Sequence, residues 1–227
     1  MPTLSHFERN FVIRLCSSSL SRKLILSAYQ IPFIQCDNNF NEESLSLTTP
    51  KSFVYQATLG KHKAALQTYG LEIPLLVVDS VVECKKKLQR KAKTQEEARS
   101  FLSAQSNASI NILTCMILHS QDLYFLNLSQ TYYEFFNFNK EDMESYLISK
   151  EWENKAGAVM VEGFHQKYIK KQIGETSNAM GLNFQALHPF LKETLSNLFD
   201  LNHKMKNQML VQLKSCIVNW YLCLVSS

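Results

Sequence analysis

Leu75-Leu76-Val77-Val78-Asp79-Ser80-Val81-Val82 decides how this chain reads. The run is short, apolar and rich in β-branched residues, which predicts a buried strand rather than a helix. Asp79 interrupts it. Burying a carboxylate without a partner costs several kcal/mol. A strand carries that cost at a break, at a metal or at a catalytic centre. Just downstream lie Lys85, Lys86, Lys87, Arg90, Lys91 and Lys93. An isolated acid followed by a cationic loop suits a polyanionic, metal-bearing substrate. A strand-end Asp that caps a turn is the structural alternative, and on these residues both stay open.

Toward the N-terminus, residues 11–16 predict a strand, Ser17-Ser18-Ser19 a polar turn, and residues 20 to about 29 a helix. A strand running through a turn into a helix presents backbone N–H groups to an anion. A serine-capped helix without a ligand has the same pattern. A second strand is predicted at 32–36, then a polar loop at 37–47 carrying Glu42 and Glu43. Thr49-Pro50 opens a helix, a cap residue followed by Pro in the first turn. It runs to about residue 69 and carries Lys61 and Lys63.

Toward the C-terminus, Thr94-Gln95-Glu96-Glu97 is a capping box for a helix to about residue 105. Residues 110–118 and 123–136 predict strands, the second partly alternating and therefore solvated on one face. Asn139 caps a helix through 149. A short strand is predicted at 158–161, a helix around 164–169 and another at 187–199. Residues 205–224 predict an amphipathic helix with a wide apolar face. With few cations on its polar side, it suits packing on the body or a partner subunit better than a membrane. Strands alternating with helices give an α/β domain with a mixed sheet.

The 227 residues are 45% apolar and 11% aromatic, enough for one large packed domain. The net charge of +4 implies no global polyanion binding, so any basic feature is local. A nucleic-acid module built on residues 85–93 would need interleaved aromatics, and none lies between Val82 and Arg99. Six cysteines are scattered through apolar runs without a Cys-x-x-Cys pair, as expected of free thiols in a reducing compartment. Neither a signal-peptide core nor an 18-residue apolar span is present, so no membrane span is expected.

Taken together, these segments resemble the Maf family of nucleotide pyrophosphatases. The resemblance covers roughly residues 11–191. The family's Ser-x-Ser-Pro-x-Arg turn is similar to Ser17-Ser18-Ser19-Leu20-Ser21-Arg22, its acidic loop to Asn41-Glu42-Glu43, and its Pro-x-x-aromatic-Val helix with a later Lys to Pro50, Phe53, Val54 and Lys61. Its Asp-Thr-Val-Val matches Asp79-Ser80-Val81-Val82, and its Gly-Lys-Pro matches Arg90-Lys91-Ala92. Lys155-Ala156-Gly157-Ala158 with Glu162-Gly163, and the run from Gly174 to Leu182, match two further motifs.

The resemblance implies a mixed central sheet flanked by helices, with two lobes around a nucleotide-binding cleft. The Maf-like domain would span 1–191, with 192–227 as a C-terminal helical extension. It implies hydrolysis of a nucleoside triphosphate to the monophosphate and pyrophosphate, a divalent cation (Mg²⁺ or Mn²⁺), a cytoplasmic location and often a homodimer. Neither a nucleic-acid nor a membrane partner is implied. The family role is sanitising nucleotide pools, and its name derives from effects on septum formation. Carried over by position, Asp79 is the proton acceptor. Ser17, Ser19, Arg22, Lys61 and Lys91 bind phosphate, and Glu42 with Asp79 holds the metal.

Leu20 stands where the family has Pro, and Arg90 and Ala92 replace the residues flanking Lys91. At the base-recognition positions this chain has Ser21, Ser80 and Glu162. The thymidine/uridine subgroup has Arg, Thr and Gln there, and the 7-methylguanosine subgroup Trp, Gln and Glu. A carboxylate only accepts hydrogen bonds, which suits a guanine-like edge and leans away from thymine and uracil; the base stays open. The eroded turns also leave a second reading, a nucleotide-binding regulator of cell division with little turnover.

Overall fold

The computed structural model describes residues 12–46 and 49–192. The strands are β1 (Ile13–Cys16), β2 (Phe33–Cys36), β3 (Leu75–Cys84), β4 (Lys87–Gln89), β5 (Ser109–His119), β6 (Tyr124–Phe135) and β7 (Ile169–Ile173). They form one 7-stranded sheet in the order β2-β1-β3-β5-β6-β7, with β4 pairing only to β3. β1 is parallel to β2 and β3, and all other pairings are antiparallel. The α/β class and the mixed sheet are as the sequence predicts.

β3 organises the sheet. One edge pairs with β5 along its whole length, from Leu75 to Cys84. The other edge is divided: Leu75 to Val77 pair with β1, and Val82 to Cys84 with β4. Residues 78–81 face no strand on that side, and Asp79 and Ser80 lie in this interval. The gap arises because β1 ends at Cys16 and the chain turns at once into α1 (Leu20–Ala28), whose N-cap is Ser19.

α2 (Pro50–Tyr69) packs on the same sheet. It buries Pro50, Phe53, Val54, Ala57, Thr58, His62 and Ala65, a stripe of the three- and four-residue spacings that helical periodicity dictates. Phe53, Val54 and Ala57 pack against Val81, Leu113 and Cys115. Two larger clusters sit toward the two ends of β3. Ile13, Leu15, Ile25, Leu26, Leu76 and Val78 pack with α6 (Phe184–Lys192). Val82 and Cys84 pack with α3 (Gln95–Gln105) and α4 (Lys140–Ser149). The capping residues predicted for α3 and α4 do cap them: Thr94 accepts from Glu97 N, and Asn139 from Glu141 N and Asp142 N.

Four expectations are corrected or bounded. Residues 158–161 form turns rather than a strand. The segment predicted as a helix around 164–169 is one 3-10 turn (Gln166–Tyr168) that passes into β7. Phe164, Tyr168 and Ile169 supply apolar spacing, but they pack on the cluster around Phe135 and Phe138 from a turn. The cationic stretch after Cys84 is a hairpin: Cys84 pairs with Lys87 across Lys85 and Lys86, both at positive φ (50° and 63°). Of the helix predicted at 187–199, the described part begins earlier, at Phe184. The remainder, the helix at 205–224, Cys216 and Cys223 lie outside the described residues. Cys16, Cys36, Cys84 and Cys115 are free thiols. Among the described residues no helix is long and apolar enough to cross a membrane.

A buried polar chain holds the turns after α4 against the sheet. Met160 N–H donates to His165 Nδ1 at 3.1 Å, so the ring proton sits on Nε2, 3.0 Å from Gln105 Oε1. Gln105 Nε2 donates on to Gln89 Oε1 (2.9 Å) and Gly157 O (2.8 Å). Burial lowers the His165 pKa from 6.5 to about 3. The unfolded chain therefore binds the proton more readily. The stability this histidine contributes is complete above pH 6.5 and is lost as pH falls from 6.5 to about 3.

Urea unfolding between pH 7.5 and 4 is expected to show that decline, and His165→Gln to flatten it; equal slopes in both proteins would refute the linkage. Two adjacent non-glycine residues at positive φ each cost roughly 1 kcal/mol. A two-residue hairpin with positive φ at both positions prefers Asn-Gly. The double substitution Lys85→Asn, Lys86→Gly is expected to raise the thermal midpoint by a few degrees, read by differential scanning calorimetry.

Candidate functional site

The divided edge of β3 opens into a cavity of about 400 Å³. All ten residues singled out from the sequence line it: Ser17, Ser19, Ser21, Arg22, Glu42, Lys61, Asp79, Ser80, Lys91 and Glu162. Residues from both ends of the sheet contribute its apolar wall, among them Val78, Val82 and Ile112.

Asp79 is buried, at 6% exposure. Its Oδ1 accepts from Lys61 Nζ at 2.9 Å, and its Oδ2 is buried with no hydrogen-bond partner. Lys61 is half-buried at the edge of the packed stripe of α2, four residues after Ala57, and from there its ammonium reaches Asp79 on the sheet. Lys61 also contacts Glu42 Oε1. Two carboxylates from distant parts of the chain thus converge on one cation.

Glu42 sits in a 3-10 turn (Glu42–Ser44) that Asn41 caps. The turn is held to α2 by Asn38, whose amide donates to Lys61 O at 2.9 Å, and by Phe40. The Phe40 ring lies over Gly60, where any Cβ would collide with it. Burial on its own would raise the Glu42 pKa, but the charges of Lys61 and Arg90 hold its carboxyl below the usual range.

Arg22 approaches from the opposite face of the sheet. Its guanidinium is buried (8% exposure) and bonds only neutral groups: Nη1 to Ser17 Oγ (2.6 Å), Nε to Gly181 O (2.8 Å) and Nη2 to Ser80 Oγ (3.1 Å). Gly181, at φ 101°, lets the backbone come this close; a Cβ there would stand 3.4 Å from Arg22 Nε. Ser80 Oγ also lies 2.9 Å from Thr114 Oγ1. Burial lowers the Arg22 pKa, while the charges of Asp79 and Glu42 act the other way. A desolvated cation with no carboxylate against it is built to receive an anion.

Ser17 and Ser19 shape the turn before α1: Ser17 Oγ accepts from Ser19 N (3.3 Å), and Ser19 Oγ from Arg22 N (3.5 Å). Lys91 stands at the mouth of the cavity, fixed by a backbone bridge to Ala156. Its pKa is lowered by its partly enclosed position and then by repulsion from Lys61 and Arg22. Glu162 and Ser21 also line the cavity, and burial raises the Glu162 pKa.

Among the described residues no three His, Cys, Asp or Glu side chains form a ready-made metal cage. Mg²⁺ does not need one, since it binds through one or two carboxylates plus substrate phosphates and waters. Glu42 and Asp79 meet that requirement. They already share a cation, and Asp79 Oδ2 has a free acceptor position. Two contributors escaped the reading of the sequence. Thr114 is a polar residue in the apolar run of β5, the same signal that exposes Asp79. Arg90 reads from the sequence as a loop cation, yet its Nη2 donates to Glu42 Oε2 at 2.9 Å.

A family model described as Maf-like protein matches residues 12–194. A Nitratiruptor protein named nucleoside triphosphate pyrophosphatase is 44% identical over 184 residues, 80% of this chain and 100% of that one. A Helicobacter pylori protein of the same name is 39% identical over 178 residues, 78% of this chain and 94% of its own length. One from Campylobacter jejuni, also of that name, is 33% identical over 180 residues, covering 78% and 98%.

A ligand that binds only the folded state stabilises it by mass action. Inorganic tripolyphosphate is accordingly expected to raise the thermal midpoint of the wild type by several degrees and to have little effect on Arg22→Met, as read by scanning fluorimetry across a concentration series.

Proposed function

The chain belongs to the Maf family, and from that premise we propose that it hydrolyses nucleoside triphosphates between the α- and β-phosphates, releasing a nucleoside monophosphate and pyrophosphate. One observation carries this reading. Asp79 is buried on the unpaired interval of β3, with one oxygen on Lys61 and the other unclaimed, in a cavity lined by the cations Arg22, Lys61 and Lys91.

The triphosphate brings several negative charges, and the chain supplies cations to match. Arg22 offers a planar fork that meets two oxygens at once. Ser17 and Ser19 add hydroxyls beside the N-terminus of α1, whose free N–H groups favour an anion. Lys61 and Lys91 neutralise the phosphates that leave as pyrophosphate.

Asp79 orients a water through Oδ2 and takes its proton as the water oxygen bonds the α-phosphorus. The bond from that phosphorus to the bridging oxygen breaks, and the electron pair departs with pyrophosphate. Glu42 and Asp79 would hold a divalent cation, Mg²⁺ or Mn²⁺, which when bound neutralises phosphate charge and polarises the phosphoryl group.

Glu162, with Ser21 and Ser80, forms the base-recognising wall. An accepting carboxylate suits adjacent N–H donors better than the edge of thymine or uracil. The catalytic unit corresponds to residues 1–191, with 192–227 as an appended segment. The cellular role that fits is removal of non-standard nucleotides in the cytoplasm.

Pyrophosphate release from a panel of ordinary and modified nucleoside triphosphates, with and without Mg²⁺ or Mn²⁺, tests the assignment. Loss of a general base lowers turnover by about 10²–10⁴-fold, so Asp79→Asn is expected to fall in that range while remaining folded, because Lys61 keeps Glu42 as counter-ion. Undiminished release from Asp79→Asn, or none from the wild type on any substrate, would sink it.

A further inference from the structure

We propose that Arg90 is a positioning residue that fixes Glu42 for the divalent cation. The inference rests on the function above, in which Glu42 is a metal ligand. Position 90 is where the family resemblance places a glycine.

Arg90 is anchored on three sides. Its backbone carbonyl accepts from Gly157 N at 2.8 Å, directly after β4. Its guanidinium carbon lies 4.8 Å over the ring of Phe53, which is buried on α2. Its two terminal nitrogens divide between neighbouring acids: Nη2 to Glu42 Oε2 at 2.9 Å and Nη1 to Glu43 Oε2 at 3.2 Å. The acidic turn has no buried residue of its own; besides Arg90, Asn38, Phe40 and Lys61 hold it to α2. A planar fork stacked on an aromatic ring converts that turn into a fixed wall.

Arg90 does not line the 400 Å³ cavity, whereas Glu42, Lys61 and Lys91 do. It stands behind Glu42, on the far side of the carboxylate from Lys61, which contacts the other oxygen. One Glu42 oxygen is thereby held by Arg90, while the other meets Lys61, which also holds Asp79; a divalent cation would use the acceptor positions that these contacts leave on the two carboxylates. Groups that orient metal ligands from behind contribute strongly to metal affinity. The charge of Arg90 on its own repels a metal ion, so the two effects have opposite signs: its removal weakens metal binding where orienting the carboxylate dominates and tightens it where repulsion does.

That opposition makes the test decisive. Mn²⁺ is titrated into the full chain without nucleotide, and the free ion is counted by electron paramagnetic resonance. Loss of a ligand-orienting partner weakens metal binding by about tenfold or more, and that is the result expected for Arg90→Ala. Arg90→Lys keeps the charge but forfeits the fork, and is expected to give a smaller loss with the fold intact. Unchanged or tighter Mn²⁺ binding in Arg90→Ala overturns the proposal, as does wild-type affinity in Arg90→Lys should the alanine variant fail to fold. So does a wild type that binds no Mn²⁺. Steady-state kinetics supply the second readout. The expected change is a higher Mn²⁺ requirement at nearly constant nucleotide KM; a raised nucleotide KM at constant Mn²⁺ requirement would mean that Arg90 grips the triphosphate itself, and also overturns it. Because the titration contains no nucleotide, Arg90-dependent Mn²⁺ binding by a protein that releases no pyrophosphate would fell the pyrophosphatase reading and leave the positioning role standing.

Discussion

The ion pair between Asp79 and Lys61 is the constraint from which the rest of this structure follows. Both side chains are nearly withdrawn from water, at 8% and 13% exposure. A buried pair of this kind is a poor source of stability, because desolvation consumes most of the Coulombic gain. An apolar pair would hold β3 to α2 at least as well. The fold nevertheless interrupts its central sheet to keep the pair: β1 stops at Cys16, β4 begins opposite Val82, and the strand edge between them is left to Asp79 and Ser80. Burial without structural benefit is the observation on which the proposed role of Asp79 rests.

Strand geometry then divides the labour. Successive side chains of β3 point to opposite faces. Asp79 accordingly meets Lys61 from α2, while Ser80 meets Arg22 from α1 and Thr114 from β5. Two adjacent residues address two different walls of one cavity. On one wall two carboxylates converge on one lysine. On the other a buried guanidinium waits among hydroxyls and a carbonyl. An elongated, polyanionic ligand that carries a cation at one end satisfies both.

Much of this was legible in the residues. An acid in an apolar strand, a serine turn before a helix, and the capping residues of α3 and α4 each specify local physics, and the folded chain follows them; Thr49 stands at the start of α2 without a side-chain cap bond. What was not legible depended on pairings between distant segments. The hairpin at Lys85 and Lys86 lacks the Asn-Gly signal that usually announces one. Residues 158–161 are apolar enough for a strand but are consumed in turns around His165. β7 is mostly exposed and largely polar, and it forms because β6 offers an edge. Lys61 could have been separated from Lys63 by phase alone. Position 61 lies at the edge of the buried stripe of α2, whereas 63 points to solvent. Arg90 has no such signal, since its partners lie on another turn and another helix.

The rigidity of α2 sets a limit on how this chain can vary in length. The segment that packs on the sheet and the ammonium that reaches Asp79 share one uninterrupted rod, from Phe53 to Lys61. Adding or deleting one residue within it would swing every later side chain by about 100° about the axis and shift it by roughly 1.5 Å. Either the packing or the charge contact would survive, not both. Sequence drift by indel is thereby shut out of this stretch, while the irregular residues 70–74 that follow the helix are free to absorb it.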